Sequence, residues 1–503
     1  MKKIFVFILV LLFAIGSLTA QSDEDLFGSD DDLFGGDDFL IEEVEDVSAK
    51  TDLSKGVLFE NGSVKIGGSL SASASVSTTV YKKDTEFLDN LKATTLTPSL
   101  GSSITIDARP NQDLRLFSKL NFNLPFATKA VSSATSLAAT TAQEVAGVTK
   151  YNTFVQTDVE TKISDWIQLK EMFTDFNAGD YTSFRFGIHT VTWGTGLFYS
   201  PVSDMINTSS IDPEHRDEQV DGSLNLRTLI NIPGTMNNLW FYVIPDKGTW
   251  QARDTALAIK GEFVAGGWEL GAGAFYKYNT APRVMLTASG SIKKWALFGE
   301  AVYQYGSDRE WLEKQSFKDK KSVFKATAGF MRSWSDPNIM LLAQYYYDGN
   351  DFDASKMSDV FFYLQNMNLV FSEYSTKGHN AAISLGFSEL FGCKDLSFSL
   401  LAIANFTKPK LIDLDAAEVK AMLAYADAAA MGQDSTQPKP SVILNEAINS
   451  LKNSPRGIFS ATLNYAFNEN TSMGFGPYIT VADWKKAPVV SLKIDFSLGG
   501  GKF

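Results

Sequence analysis

Three histidines and one cysteine are the side chains of this chain best suited to metal binding or nucleophilic catalysis. The histidines, His189, His215 and His379, form no His-Glu-x-x-His pattern, and Cys393 has no second cysteine to pair with. The sequence also contains no Gly-x-Ser-x-Gly motif and no Walker loop. Acidic residues lie near His189 and His215, but without the spacing of a metal-ligand set. We therefore predict no catalytic residue, no metal site and no cofactor.

Charged side chains that alternate with apolar ones indicate a different chemistry. Arg115 and Lys119 alternate with apolar residues in one segment, Arg185 and His189 in a second, and Arg227 in a third. A strand residue that faces lipid at mid-bilayer costs about 2–4 kcal/mol if it is Arg or Lys. We therefore expect these five side chains to face a water-filled lumen. Successive side chains of a strand point to opposite faces, and the residues on the lumen side have what we call inward parity. The same inward parity is predicted for Lys260, Glu262, Glu269, Lys277, Glu300, Lys325, Lys493 and Asp495.

The loop at 194–221, which follows the alternating segment 184–193, is rich in carboxylates. Its acidic residues are Asp204, Asp212, Glu214, Asp217, Glu218 and Asp221, against a single Arg216. We hypothesise that this third external loop folds inward and faces a basic wall of Arg115, Lys119, Arg185 and Arg227, because charged rings set the ion selectivity of channels. In the alternative, the loop stays outside as a solvated cap and the arginines pair with neighbouring carboxylates.

The elements that carry these residues have a hydrophobic period of two from about residue 62 onward. Apolar and polar residues alternate in segments of about ten residues, the length that crosses a bilayer as a tilted strand. After the segments at 64–76 and 114–124, they recur at 184–193, 224–232, 239–245, 257–263, 268–278, 284–292, 295–305, 323–332, 339–347, 381–387, 396–406, 459–467, 473–479 and 489–498.

The connections between these segments alternate between short and long. Short turns rich in Gly, Pro, Asn and Asp alternate with long polar segments, some with helical patterns at 415–431 and 442–451. Short periplasmic turns and long external loops produce this alternation. The fold class predicted is all-β: a transmembrane, antiparallel, up-and-down β-barrel of about 18 strands (16 to 20), with some helix in its long external loops.

The N-terminal region has the pattern of an exported protein. Residues 1–20 combine Lys2 and Lys3 with an apolar run and small residues, which predicts a signal peptide. Residues 21–60 are predicted to form an acidic disordered periplasmic leader, and residues 61–503 the barrel. Twelve of the 58 acidic residues lie within 22–48, so much of the net charge of −13 belongs to the leader, and nucleic acid is not an expected partner.

Several aromatic residues lie near the ends of predicted strands, among them Trp193, Trp240, Trp268 and Trp295. Tryptophan and tyrosine are enriched where a barrel meets the lipid headgroups. We therefore expect interfacial girdles, while an aromatic track for sugars inside the pore is the alternative.

One segment resembles a known family. Residues 185–207 read RFGIHTVTWGTGLFYSPVSDMIN, which is similar to porin-like outer-membrane barrels of diderm bacteria, a family largely of unknown function. In that family a Gly-x5-Trp-Gly strand runs into a loop with Pro-x-x-Asp and a nearby Asn. The matching residues are Gly187, Trp193, Gly194, Pro201, Asp204 and Asn207. The resemblance covers about 25 of the 503 residues and implies the fold more than a substrate.

These patterns predict an outer-membrane channel for the passive passage of small hydrophilic solutes. Outer-membrane lipid and the barrel-assembly machinery are its expected partners. A surface adhesin that binds ligands through the loops at 349–377 and 409–455 is one alternative. An uptake barrel for hydrophobic compounds is another. The sequence leaves the oligomeric state open.

Overall fold

The computed structural model describes the chain in ten stretches. They are residues 57–125, 138–140, 153–155, 167–206, 222–246, 250–313, 316–352, 373–430, 439–468 and 470–502. The predicted signal peptide and most of the predicted leader lie outside them. Asn207, Asp212 and Glu214 of the predicted site also lie outside the described residues.

Alternating sequences rich in β-branched and aromatic residues form long antiparallel strands. Three strands are short: β1 (Val57–Asn61) pairs with the start of the first long strand, and β5 (Ala138–Thr140) pairs with β6 (Thr153–Val155) in a separate two-stranded sheet. The main strands are β2 (Val64–Tyr81), β3 (Thr95–Asn111), β4 (Leu114–Pro125), β7 (Ile167–Asn177), β8 (Thr182–His189), β9 (Ser223–Asn231), β10 (Asn238–Ile244), β11 (Ala256–Ala265), β12 (Trp268–Tyr276), β13 (Arg283–Ile292), β14 (Trp295–Gln304), β15 (Val323–Ser335), β16 (Asn338–Asp348), β17 (Gly378–Phe387), β18 (Leu396–Asn405), β19 (Gly457–Asn468), β20 (Thr471–Val481) and β21 (Val489–Lys502).

These eighteen strands form a closed ring. Each pairs with its neighbours in chain order, and β2 pairs on one side with β3 and on the other with β21. At the closure Ser75 lies opposite Thr97 on one neighbour and opposite Asp495 on the other. Closure satisfies the backbone groups that an open sheet would leave unpaired in lipid. The predicted up-and-down barrel of 18 strands is confirmed.

The connections separate the two ends of the barrel. Turns such as 112–113, 266–267 and 293–294 lie at one end, which we call the turn end. Long connections such as 305–322 and 406–456 lie at the other, the loop end. Since short turns face the periplasm in barrels of this class, the loop end is the external one.

The side-chain burial shows which face of the wall is outside. On β11, Leu257 and Ile259 are 53% and 41% exposed, while Ala256, Ala258 and Lys260 between and beside them are buried. The same alternation recurs around the ring, so large apolar side chains form a continuous exposed belt. Such a belt is stable in lipid and not in water, which makes this a membrane-spanning barrel.

The described helices lie in the connections of the loop end. They are α1 (Phe87–Lys92), α2 (Asp308–Glu313), α3 (Ala417–Ala430) and α4 (Pro440–Asn453). The predicted helical patterns of the last long loop are confirmed by α3 and α4, which share a small apolar core. That core contains Phe352, Tyr374, Ile412, Val419, Leu423, Leu444, Ile448 and Leu451. Within the described stretches, no helix has both the length and the apolar character needed to cross a bilayer.

Two strand ends differ from the sequence pattern. The segment predicted to be a strand through Trp193 ends at His189, because the chain there turns into the lumen. The last strand, predicted to end near Leu498, continues through its glycines to Lys502. It continues because β2 extends far enough to pair with it, with Ser71 opposite Gly500 after a register shift.

Candidate functional site: the lumen and its inward segment

Residues 190–206 leave β8 and cross the inside of the barrel; we call them the inward segment. Their backbone and side chains bind inward-pointing side chains on β11, β14 and β16. The strand β8 is separated from β16 by eight steps of the eighteen-strand ring, which is nearly the opposite wall. The described part of the third external loop therefore spans the lumen. Asp204, the one described acidic residue of the predicted constriction, lies in a short 3-10 turn of this segment.

The carboxylate of Glu300 on β14 holds the middle of the inward segment. It accepts hydrogen bonds from the backbone N–H of Gly196 at 2.5 Å and of Val202 at 3.0 Å. The hydroxyl of Ser200 donates to the same carboxylate at 3.0 Å. Three donors of the inward segment thus converge on one buried acceptor group, so Glu300 is the main polar anchor of the segment.

Gln344 and Lys260 add an anchor on either side of Glu300. The amide of Gln344 accepts from the N–H of Phe198 at 2.7 Å and donates to the carbonyl of Tyr199 at 2.6 Å. The ammonium group of Lys260 donates to the carbonyl of Trp193 at 2.9 Å. An irregular stretch of backbone inside a barrel needs such partners, because no strand pairs with it.

Apolar packing covers the wall beneath the segment. Val191, Trp193, Val202 and Met205 pack against inward side chains from β10 to β14, and Phe198 packs on Leu342 of β16. Every strand from β10 to β17 contributes at least one buried inward residue, and we call these strands the covered wall. One residue per strand illustrates it: Tyr242, Ala258, Phe275, Met285, Val302, Thr327, Leu342 and Ala382.

Two of the tryptophans expected in interfacial girdles lie inside the barrel instead. Trp193 is 3% exposed and packs edge-on against Tyr242. Trp240 shares the inward parity of Tyr242, donates a hydrogen bond to Glu262 at 2.8 Å and stacks with Arg227. The expectation was wrong for both, because Trp193 is off the strand and Trp240 faces the opposite way from the lipid.

The opposite side of the lumen is different in character. The strands β19–β21 and β2–β4, which we call the open wall, present inward side chains that are mostly small, polar and exposed or half-buried; Phe117, Ile458 and Tyr478 are the larger ones. Their inward hydroxyl and amide residues include Ser69, Ser71, Ser73, Ser75, Ser77, Thr97, Ser99, Ser103, Thr105, Asn121, Ser460, Thr462, Asn464, Ser491 and Ser497. Lys119, Lys493 and Asp495 add charge to this wall. Solvent therefore reaches one side of the lumen while the inward segment fills the other.

Charged residues on β3, β4, β7 and β8 form a row near the turn end. Arg185 forms a two-point ion pair with Asp175, with nitrogen–oxygen distances of 2.6 and 3.0 Å. Arg115 binds Asp107 in the same way, at 3.0 and 3.1 Å, and lies 3.9 Å from Asp175. Phe173 lies under the guanidinium of Arg185 at 4.1 Å. We call Asp107, Arg115, Asp175 and Arg185 the charged row.

The remaining predicted lumen residues lie beside this row. Arg227 is opposite Arg185 in the register of β8 and β9 and is buried. His189 is 1% exposed and contacts the Phe173 ring edge-on. Lys119 lies opposite Glu171. Arg115 and Arg185 thus pair with neighbouring carboxylates, as the alternative to an acidic constriction predicted. The acidic residues after 206, which the constriction would need, lie outside the described structure.

Three residues of the Gly-x5-Trp-Gly segment, Gly187, Gly194 and Pro201, lie in tightly packed positions. Gly187 has φ +143°, and a side chain there would overlap the backbone of Met172 and Phe173. A side chain at Gly194 would overlap Ser200 and Glu300. Pro201 is buried in the inward segment. The two glycines thus permit close approach of β8 to β7 and of the segment to its anchor.

The sequence did not predict the anchoring role of Glu300 or any role for Gln344. The signal was weak: each is a polar residue of inward parity in the middle of its strand, between apolar or aromatic neighbours. Inward parity alone predicts contact with water. Only the fold shows that a backbone segment occupies that position.

A second polar cluster lies at the loop end. Arg283 binds Asp308 at 2.5 Å, and Lys325 binds Asp348 at 3.1 Å. Glu373, in a helical turn of the loop above them, is close to these charges. Burial raises the pKa of the Glu373 carboxyl to about 7; Asp308 and Asp348 add to the rise, while Lys325 and Arg309 oppose it.

The raised pKa of Glu373 predicts a pH-dependent stability. The folded state binds this proton up to about pH 7 and the unfolded state only to about pH 4.5, so the stability contributed by Glu373 falls as pH rises between these values. At high pH the charged Glu373 lowers the free energy of unfolding by on the order of 3 kcal/mol at most, and Glu373→Gln should remove this loss. The unfolding temperature, followed by gel mobility, should rise relative to the native protein more at pH 8 than at pH 5. The exposed Glu446→Gln is the control, and equal shifts at both pH values would contradict the assignment.

Comparisons with known proteins give structural similarity without sequence similarity. No family model matches this chain, and no curated protein matches it. The structure is similar to that of Pseudomonas aeruginosa OccK9 (OpdG), with 10% identity, TM-score 0.44, and coverage of 87% of this chain and 98% of that one. Acinetobacter baumannii OccAB4 has 7% identity and a TM-score of 0.43, with coverage of 87% of this chain and 98% of that one. A BenF-like porin from Pseudomonas fluorescens Pf-5 has 7% identity and a TM-score of 0.44, with coverage of 86% of this chain and 97% of that one.

Proposed function

We propose that this protein is an outer-membrane, porin-type channel for the passive passage of small hydrophilic solutes. The observation that carries the proposal is the asymmetry of the lumen. The inward segment packs on the covered wall, while the open wall keeps its hydroxyl and amide side chains accessible. An exposed polar inner surface inside an apolar outer belt is the arrangement of a water-filled barrel.

The open wall suits the exchange of water for the polar groups of a solute. Serine and threonine hydroxyls both donate and accept hydrogen bonds and rotate to fit their partner. A hydrated solute can therefore move along the open wall, replacing each hydrogen bond as it breaks one. The charged row and the pair of Lys493 with Asp495, 3.7 Å apart, place both signs of charge along this path.

Single-channel recording tests the proposal. The protein refolded into a planar lipid bilayer should give discrete conductance steps that small hydrophilic solutes reduce when they occupy the lumen. A folded barrel, shown by its altered gel mobility before heating, that never conducts would overturn the channel function. Binding by the ordered α3–α4 loop would then become the leading function, as in the adhesin alternative. Uptake of hydrophobic compounds would instead require apolar side chains on the open wall.

The open wall should react with water-soluble thiol reagents, and the covered wall should not. In a Cys393→Ser background, Ser73→Cys places a thiol on an exposed inward position of β2. A charged methanethiosulfonate added to the bath should lower its conductance. The matched control is Ala258→Cys on β11, which is 6% exposed beneath the inward segment and should not react. Equal labelling of the two positions would contradict a one-sided channel.

A further inference from the structure

The outer surface of the barrel has one charged position that the channel does not use. On strands β10 to β16, Arg332 is the only charged residue of outward parity; its outward neighbours on β15 are Phe330 and Trp334. It lies three residues from the end of β15, about 10 Å along the strand from the turn end. A charge on the lipid face is tolerated only toward the membrane interface, so Arg332 directs its head group to the headgroup layer.

The guanidinium of Arg332 contacts two indole rings. Its central carbon is 4.8 Å from the ring centre of Trp295 and 4.7 Å from that of Trp334. Cation–π contacts of this kind hold the group in place without neutralising it. Its Nε is buried without a hydrogen-bond partner, and within the described structure Arg332 forms no ion pair.

The surroundings of Arg332 are basic. Lys293 and Lys294 form the exposed turn that immediately precedes Trp295, while Asp336 in the turn after β15 is the nearest acidic residue in the sequence. Three cations against one carboxylate leave this patch with a net positive charge. The patch faces the periplasmic leaflet, because it lies at the turn end of the barrel.

From this geometry we propose that Arg332, Trp295, Trp334, Lys293 and Lys294 form a binding site for the phosphate of an anionic phospholipid in the periplasmic leaflet. The phosphate accepts hydrogen bonds from the outer nitrogens of Arg332 and is attracted by the two lysines. The acyl chains lie along the apolar belt below the tryptophans. The indole rings hold the guanidinium ready, so little side-chain entropy is lost on binding.

Lipid titration followed by native mass spectrometry tests the site. The full barrel in detergent should retain phosphatidylglycerol more strongly than phosphatidylcholine, and Arg332→Gln should lower that affinity about fivefold, the effect of about 1 kcal/mol per interfacial cation. The matched control is Arg109→Gln, also at the turn end, whose arginine already binds Asp107 at 3.3 Å and should not contribute.

A second variant and a competition measurement complete the test. The Lys293→Gln and Lys294→Gln double variant, which leaves Arg332, Trp295 and Trp334 unchanged, should also weaken phosphatidylglycerol binding. An excess of inorganic phosphate should not displace the lipid. Unchanged affinity in both variants, equal retention of the two lipids, or displacement by free phosphate would each overturn the proposal.

Discussion

Replacing Glu300 with alanine is expected to raise the single-channel conductance and make it fluctuate. The Glu300 carboxylate accepts hydrogen bonds from the backbone of Gly196 and Val202 and from the Ser200 hydroxyl. Without it, each buried N–H loses a partner at about 1–3 kcal/mol. The inward segment should therefore leave the covered wall for part of the time and let the lumen widen.

The conservative variant and a matched control separate this effect from a general loss of stability. Glu300→Gln keeps the shape and one acceptor oxygen, so its conductance should lie between those of the native protein and Glu300→Ala. Glu269→Ala removes another inward carboxylate, on β12, which in the described structure accepts no hydrogen bond from the inward segment, so it should leave the segment in place and change the conductance much less. If Glu300→Ala folds and conducts like the native protein, Glu300 does not anchor the segment.

Removing the charge of Asp175 is expected to shift the channel toward anions and to destabilise it. Asp175 binds Arg185 at two points and lies 3.9 Å from Arg115, and its side chain is largely buried. In Asp175→Asn the two arginines keep their charge and lose a carboxylate. The lumen beside them becomes more positive, and a broken buried pair costs roughly 3–5 kcal/mol.

The reversal potential in a potassium chloride gradient measures this change. It should move toward the chloride equilibrium potential in Asp175→Asn, and the unfolding temperature should fall. Asp336→Asn removes the same charge at the turn end outside the lumen, so it should alter neither quantity. A folded Asp175→Asn channel with the native reversal potential would show that the charged row lies away from the ion path.

The position of the inward segment explains why part of the site could not be predicted. Val191 and Trp193 alternate with Thr190 and Thr192, so the sequence favours a strand through Trp193, although the apolar positions change from even to odd numbers after Ile188. The chain leaves the strand after His189, and its backbone groups bind side chains far away in the sequence. Gly196 binds Glu300, for example, 104 residues later. No local pattern records an interaction over that separation.

The sequence by itself determined the period of the strands, their approximate number, the alternation of turns and loops, and the inward parity of Arg115, Lys119, Arg185 and Arg227. These are local properties, because a membrane-spanning strand must repeat apolar and polar residues every two positions and a charge on the lipid face is costly. The tertiary structure alone decided which wall the inward segment covers, which arginines have carboxylate partners, and that Trp240 lies inside. Those outcomes depend on which distant strands closure places opposite β8, and packing across the lumen has no signature along the chain.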